Sequence, residues 1–266
     1  MIRSLQALKD FASPLVSVSL TANSISQVLY TSKGREAFLA LLQYCAELYK
    51  ECMKDYTFYN AAEHWSNSVQ NARSVEHSMS SGRKMIRLFR FLDEVGEIER
   101  LLDRTGKWQV LPVLQLLSHA CSFLYYVLDN LVLASSIGVI SHVIAAINVR
   151  WKSTKDMSSL IRVLLAVTIA CLSLRDTRKS IKSARNQLHS GSKGALSPAE
   201  SLRKLFEDRR KLRFLVLDLS QNSLRLLMLM KALELPGHRL LSPILVAALG
   251  VLSTSIAVFK QLSAAL

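Results

Sequence analysis

From Lys33 to Lys54 the apolar residues Phe38, Leu41, Leu42, Cys45, Leu48, Tyr49 and Cys52 recur three and four positions apart against a charged face. That spacing predicts an amphipathic helix, packed on a protein core or lying on a membrane surface. Residues 55 to 81 are polar, rich in Ser and Asn, with Tyr56, Phe58 and Tyr59 among them. They predict a weaker helix and a loop. A second amphipathic pattern runs from Arg83 to Leu102. On a wheel of about 100° per residue, Met85, Leu88, Phe89, Phe91, Leu92, Val95, Ile98 and Leu102 cover half the circumference, with Arg83, Arg87 and Arg90 opposite. A helix lying in a bilayer interface needs this arrangement, the arginines meeting lipid phosphates at about 1 kcal/mol each. The basic, solvated face of a soluble helix would look the same.

Residues 110 to 149 contain a single charge, Asp129. At about 1.5 Å per residue they cross a hydrocarbon core of about 30 Å once, with residues to spare. The better span is Leu131 to Val149, closed by Arg150, Trp151 and Lys152 as an aromatic and basic edge; a buried helix of a soluble bundle is the alternative. Residues 160 to 174 predict a further apolar helix, but Arg162 leaves twelve uncharged positions after it, too few for an ordinary span. This helix reads as core or interfacial. His189 to Leu196 is a Gly/Ser linker, and Ser197-Pro198-Ala199-Glu200 carries the marks of a helix start: a Ser cap, Pro in the first turn and a Glu closing the capping box. The helix that follows continues through Phe214 to Leu235 and is stopped by Pro236-Gly237.

Leu240 to Phe259 gives the cleanest signal: no charge between Arg239 and Lys260, and eleven of the twenty residues Leu, Ile, Val or Phe. On an insertion scale these favour the bilayer by about 3 to 6 kcal/mol, which predicts a transmembrane helix. Gly250, Ser253 and Ala257 place small side chains on neighbouring turns, suited to close packing against another helix, including a second copy, or simply tolerated by lipid.

Composition narrows the picture. The chain has 266 residues, half of them apolar, with 9 Gly and 5 Pro, so the turns of an all-β fold are largely missing. The expected class is all-α: a membrane-embedded bundle of amphipathic helices with a C-terminal transmembrane helix. The organisation expected is an N-terminal segment (1–30), an amphipathic helical region (31–109), apolar central helices (110–188), a linker (189–199) and a C-terminal helix pair (200–266). A net charge of +14 calls for a polyanionic partner, and hydrophobicity decides for an anionic phospholipid membrane over nucleic acid. Most of the charge is regional, with 16 Lys or Arg against 5 Asp or Glu between Arg150 and Arg213.

Cys45, Cys52, Cys121 and Cys171 form no CxxC pair and sit in apolar stretches, as in a reducing compartment. Pro14 and neighbouring serines interrupt the first apolar run, so no secretory signal is expected, and Ser-Ala-Ala-Leu at the C-terminus is not an import tripeptide of the Ser-Lys-Leu kind. There is no phosphate-binding GxxxxGK[ST] loop, no GxGxxG, no HExxH and no Cys/His cluster with metal spacing. No catalytic residue, cofactor or metal is expected. The histidines at 64, 77, 119, 142, 189 and 238 are scattered, and His119, Asp129 and His142 are the ionisable groups of the long apolar stretch. Inside a membrane such groups are functional candidates; inside a protein core they are merely partnered.

The order of several motifs resembles the peroxisomal biogenesis factor 11 family. They are Lys33-Gly34-Arg35-Glu36 with Leu42-Gln43-Tyr44, Ser80-Ser81-Gly82-Arg83-Lys84 leading into Arg87-Leu88-Phe89-Arg90-Phe91-Leu92, and Tyr126-Val127-Leu128-Asp129-Asn130 with Gly138 beyond. A leucine-rich helix ending Leu233-Glu234-Leu235 and a terminal apolar helix complete the series, which spans about Thr31 to Phe259.

The resemblance implies an integral peroxisomal or glycosomal membrane protein that elongates the organelle membrane, promotes proliferation and fission, self-associates and recruits fission machinery including a dynamin-related GTPase. It also implies that the helix carrying Arg83, Lys84, Arg87 and Arg90, with Met85, Leu88, Phe89 and Leu92 beneath, enters one leaflet. Two other functions compete. A metabolite channel would need His119, Asp129, His142 and Asn148 on one water-lined face, and a soluble helical scaffold would bury every apolar segment as core.

Overall fold

The computed structural model describes residues 25–59, 63–104, 110–138, 145–190 and 198–265. Among them every regular element is helical. A short helical stretch over 25–30 leads into α1 (Ser32–Tyr59), α2 (Glu63–Ile86), α3 (Phe91–Arg104), α4 (Val110–Ser136), α5 (Ala145–Ser190) and α6 (Pro198–Ala232), then a 3-10 turn (His238–Leu240) and α7 (Pro243–Ala265).

Local chemistry sets several of these ends. Thr31 caps α1: its hydroxyl oxygen accepts the Gly34 amide at 3.0 Å and donates to the Val28 carbonyl at 2.9 Å. Gly34 is required there, because a Cβ would overlap that carbonyl and the Thr31 hydroxyl. α6 begins at Pro198, where the missing N–H costs nothing. It ends in a Schellman turn, with Glu234 left-handed at φ 52° and the Leu235 amide donating to the Met230 carbonyl at 2.9 Å.

Four sequence expectations change here. The polar stretch 55–81 is helical on both sides of residues 60–62, which lie outside the described residues; Lys50–Glu76 pairing and the packing of α2 on α1 hold it. The expected span Leu131–Val149 is replaced by α4, because the helix stops at Ser136 and Gly138 turns the chain at φ 78°. The 160–174 helix belongs to the 46-residue α5, whose stretch Ser153–Asn186 is long and apolar enough to cross a membrane. Arg162 is tolerated within it because its guanidinium lies over the Tyr125 ring, 4.8 Å from the centroid. The terminal span sits slightly later than expected, at Pro243–Ala264. The linker residues 191–197, Ser197 included, lie outside the described residues.

The helices form a closed ring. In spatial order α4 packs on α5, α5 on α6, α6 on α7, α7 on α1 and α1 on α2, while α2 meets α4 only lightly and α3 lies outside against α4. Polar bonds tie neighbours together: Ser180 to Asp208 at 2.7 Å between α5 and α6, Lys260 to Asp218 and Gln221 between α7 and α6, and Arg83 to Gln43 at 2.8 Å between α2 and α1.

Of the small residues expected to pack α7 against another helix, Gly250 meets α1 of the same chain, while Ser253 and Ala257 face the interior between the helices. Ala247 and Ser253 are buried, and Gly250 lies so close to Tyr44 that a Cβ would overlap its ring.

Candidate membrane-facing surface and cationic chamber

The amphipathic helices are turned inside out relative to a water-soluble bundle. On α1 the stripe Phe38, Leu42, Cys45, Tyr49 and Cys52 faces outward, while Glu36, Gln43 and Glu47 line the interior. Large apolar side chains are also exposed on α4 (Val113, Leu117, Leu124), α5 (Ile161, Leu164), α6 (Phe206, Val216) and α7 (Leu245, Leu252, Phe259). The interior holds small and polar residues, Ala40, Ala72, Ser122, Ser158, Ser159, Gln221, Ser253 and Thr254, beside a few larger apolar ones, Tyr126, Leu128, Leu133, Val163 and Leu174. Of the large side chains, the one most completely buried is Asp129, 2% exposed. In water this distribution is unfavourable, since outward Leu and Phe each forgo about 1.5–3 kcal/mol of burial. In hydrocarbon it is the stable arrangement, because polar groups must find partners inside the protein.

The corner after α2 shows the same inversion and corrects the continuous helix expected over Arg83–Leu102. Regular helix ends at Ile86, residues 87–90 form a turn, and Phe89 takes a left-handed φ of 61° before α3 starts at Phe91. The left-handed region costs a bulky residue about 1–2 kcal/mol. The break redirects the arginines. They do not point outward to lipid phosphates: Arg83 reaches Gln43, Arg90 pairs with Glu36, and Arg87, 9% exposed, forms ion pairs with Asp129 at 2.9 Å and Glu36 at 3.5 Å. Arg87, Arg90 and Arg83 also sit near the rings of Tyr125, Tyr126 and Tyr44, 5.2 to 6.0 Å from their centroids. Lys84 is half-buried. Burial opposes the charge on Arg87, but Tyr125, Asp129 and Glu36 outweigh it and raise the pKa of that guanidinium above its ordinary value.

What faces outward at this corner is apolar. Met85, Leu88, Phe89 and Leu92 are exposed, Phe89 by 61%. Val95 and Leu102 continue the row along α3, beside the outward residues of α4. Phe91 anchors α3 edge-on against Phe123 of α4, centroids 6.1 Å apart, and His119 meets Glu94 at 2.7 Å. α3 is thus clamped with its apolar edge free.

Within the ring lies a cavity of about 700 Å³ that is open to the outside. Its lining includes seven cationic side chains (Lys33, Arg83, Arg87, Arg90, Arg162, Arg225 and Lys260) against three carboxylates (Glu36, Glu47 and Glu76). Sequence periodicity placed these residues on helices but gave no sign that five helices and a turn bring their cations to one centre. Of the residues expected to line a channel, His119 is engaged by Glu94, and Asp129 by Arg87 and Lys155. His142 and the side chain of Asn148 lie outside the described residues. Among the described residues no group of His, Cys, Asp and Glu is placed to hold a metal ion.

Three helices, α4, α5 and α7, are long and apolar enough to cross a membrane, and only 11 to 28% of their most apolar windows is buried within the protein. The profile of the family described as peroxisomal biogenesis factor 11 matches residues 22–262. The chain belongs to this family. It is accordingly a peroxisomal membrane protein, a biogenesis factor by family. It is similar to the "Peroxisomal membrane protein 11 homolog" of Dictyostelium discoideum, 28% identical over 116 residues, which cover 44% of this chain and 42% of that relative. The match therefore spans less than half of that protein's length. No solved structure matches the chain.

Proposed function

We propose that the protein is embedded in the peroxisomal membrane as an integral ring of helices and elongates that membrane by wedging one leaflet, so promoting proliferation and fission. The observation that carries this reading is the outward apolar edge Met85, Leu88, Phe89 and Leu92 at a strained corner whose arginines are held inside. An edge fixed at the side of a bundle displaces lipid in one leaflet more than in the other, and that asymmetry favours curvature. Self-association concentrates the wedges. Fission machinery, including a dynamin-related GTPase, would act on the tubule that results. Anionic phospholipid remains the membrane partner, attracted by the overall charge of +14 rather than by the arginines of the corner.

Alkaline carbonate extraction tests embedding, and the full chain is expected to stay in the membrane pellet. Reconstitution into liposomes containing anionic lipid tests remodelling, and tubules should appear by electron microscopy. Protein that inserts, stays in the pellet and leaves the vesicles spherical at high density would defeat the wedge. The soluble-scaffold alternative requires a cover for the outward Leu and Phe side chains, and the chain supplies none among its described residues.

A further inference from the structure

We infer that the chamber within the helical ring is a binding site for a phosphate-bearing ligand, held by Arg162 and Arg225. The lining carries more positive charge than its carboxylates offset, and the surplus is not spread evenly. Arg87 and Arg90 are engaged by Glu36, and Lys260 by Asp218. Arg162 has a tyrosine ring but no carboxylate, and Arg225 makes no hydrogen bond or ion pair among the described residues. Arg225 is surrounded by protein, yet its side chain keeps accessible surface because that surface belongs to the chamber. Burial and the neighbouring Arg162 guanidinium both act against its charge and lower its pKa.

Arg162 and Arg225 thus line the chamber without an anionic acceptor.

The chemistry of that acceptor follows from the donors. Guanidinium forks match phosphate oxygens two at a time, and a phosphomonoester carries about −1.5 to −2 charges, the complement of two unpaired arginines. A cavity of about 700 Å³ holds more than the phosphate itself, and Met228, Leu229 and Val246 give it an apolar wall. A phosphatidate headgroup with part of its acyl chains and a soluble phosphorylated metabolite share this chemistry. Binding requires only the chamber, so its failure leaves membrane remodelling untouched.

The full-length protein in nanodiscs of phosphatidylcholine decides the matter. One arm titrates inorganic pyrophosphate by calorimetry; the other adds phosphatidate to the nanodiscs and follows the melting temperature and, by native mass spectrometry, lipid retention. Either response is expected to fall at least tenfold in the double variant Arg162→Gln/Arg225→Gln and to be unchanged by Arg203→Gln on the exposed face of α6.

A pyrophosphate response identifies a soluble source, and a phosphatidate response alone identifies the lipid. Silence of the wild type toward both probes overturns the inference whatever the variants do, and so does equal binding by the double variant.

Discussion

Arg87 Nη2 lies 2.9 Å from an Asp129 carboxylate oxygen, and this pair closes the helical ring where α2 and α4 scarcely meet through their backbones. Arg87 also reaches Glu36 of α1, and Asp129 is held from the other side by Lys155 of α5 at 3.3 Å. One buried carboxylate therefore joins three segments of the ring. Breaking a buried pair by removing one member costs about 3–5 kcal/mol, because the other charge is left uncompensated. Asp129→Ala is expected to lower the midpoint of unfolding in detergent by that order. Combining Asp129→Leu with Arg87→Met should recover most of the loss, and a double variant as unstable as the single one would show that the pair does not act by charge.

Phe89 separates backbone strain from side-chain function. Its left-handed φ of 61° is unfavourable for an aromatic residue and natural for glycine. Phe89→Gly is expected to stabilise the corner by about 1 kcal/mol while abolishing most liposome tubulation. Phe89→Trp should keep tubulation at the wild-type level. Electron-microscopic counts of tubules against thermal melting curves check both, and a glycine variant that tubulates normally would remove this residue from the wedge.

Gly250 sets how closely α7 approaches α1, with the Tyr44 ring where a side chain would be. Gly250→Leu is expected to cost about 1–3 kcal/mol by overpacking, read as a lowered melting temperature in detergent. Leu252→Ala, on the outward face of the same helix, should stay within about 0.5 kcal/mol of the wild type.

Glu47 gives a pH dependence. Burial first, and then the charge of Glu76, raise its pKa above the ordinary glutamate value of 4.5. The folded state therefore binds this proton more tightly than the unfolded chain, and the associated stability is present below 4.5 and lost as pH rises through the raised value. Glu47→Gln is expected to be more stable than the wild type at neutral pH, the difference shrinking as the pH falls through the raised value toward 4.5. Melting curves from pH 4 to 7.5 check the sign, and parallel curves would contradict it.

Several elements were legible in the chain alone. The spacing of Phe38, Leu42, Cys45 and Tyr49 identified α1, the run after Arg239 identified the terminal helix, and Pro198 marked the first residue of α6. The corner at 87–90 was not legible, because Arg87-Leu88-Phe89-Arg90 continues a helical period without Gly or Pro and nothing local demands a turn. α4 also escaped, since its end is set by a turn at Gly138 while apolar residues continue beyond it.

By itself the sequence determined that the chain is helical and amphipathic, with helices long and apolar enough for a bilayer, because periodicity and hydropathy are local properties. Which side of each helix faces outward was decided only by tertiary structure. A stripe of leucines opposite a stripe of arginines is the same pattern whether the leucines pack inward or meet lipid. The choice depends on partners from distant segments, Glu36 and Asp129 for Arg87 above all, that draw the charges to a common centre.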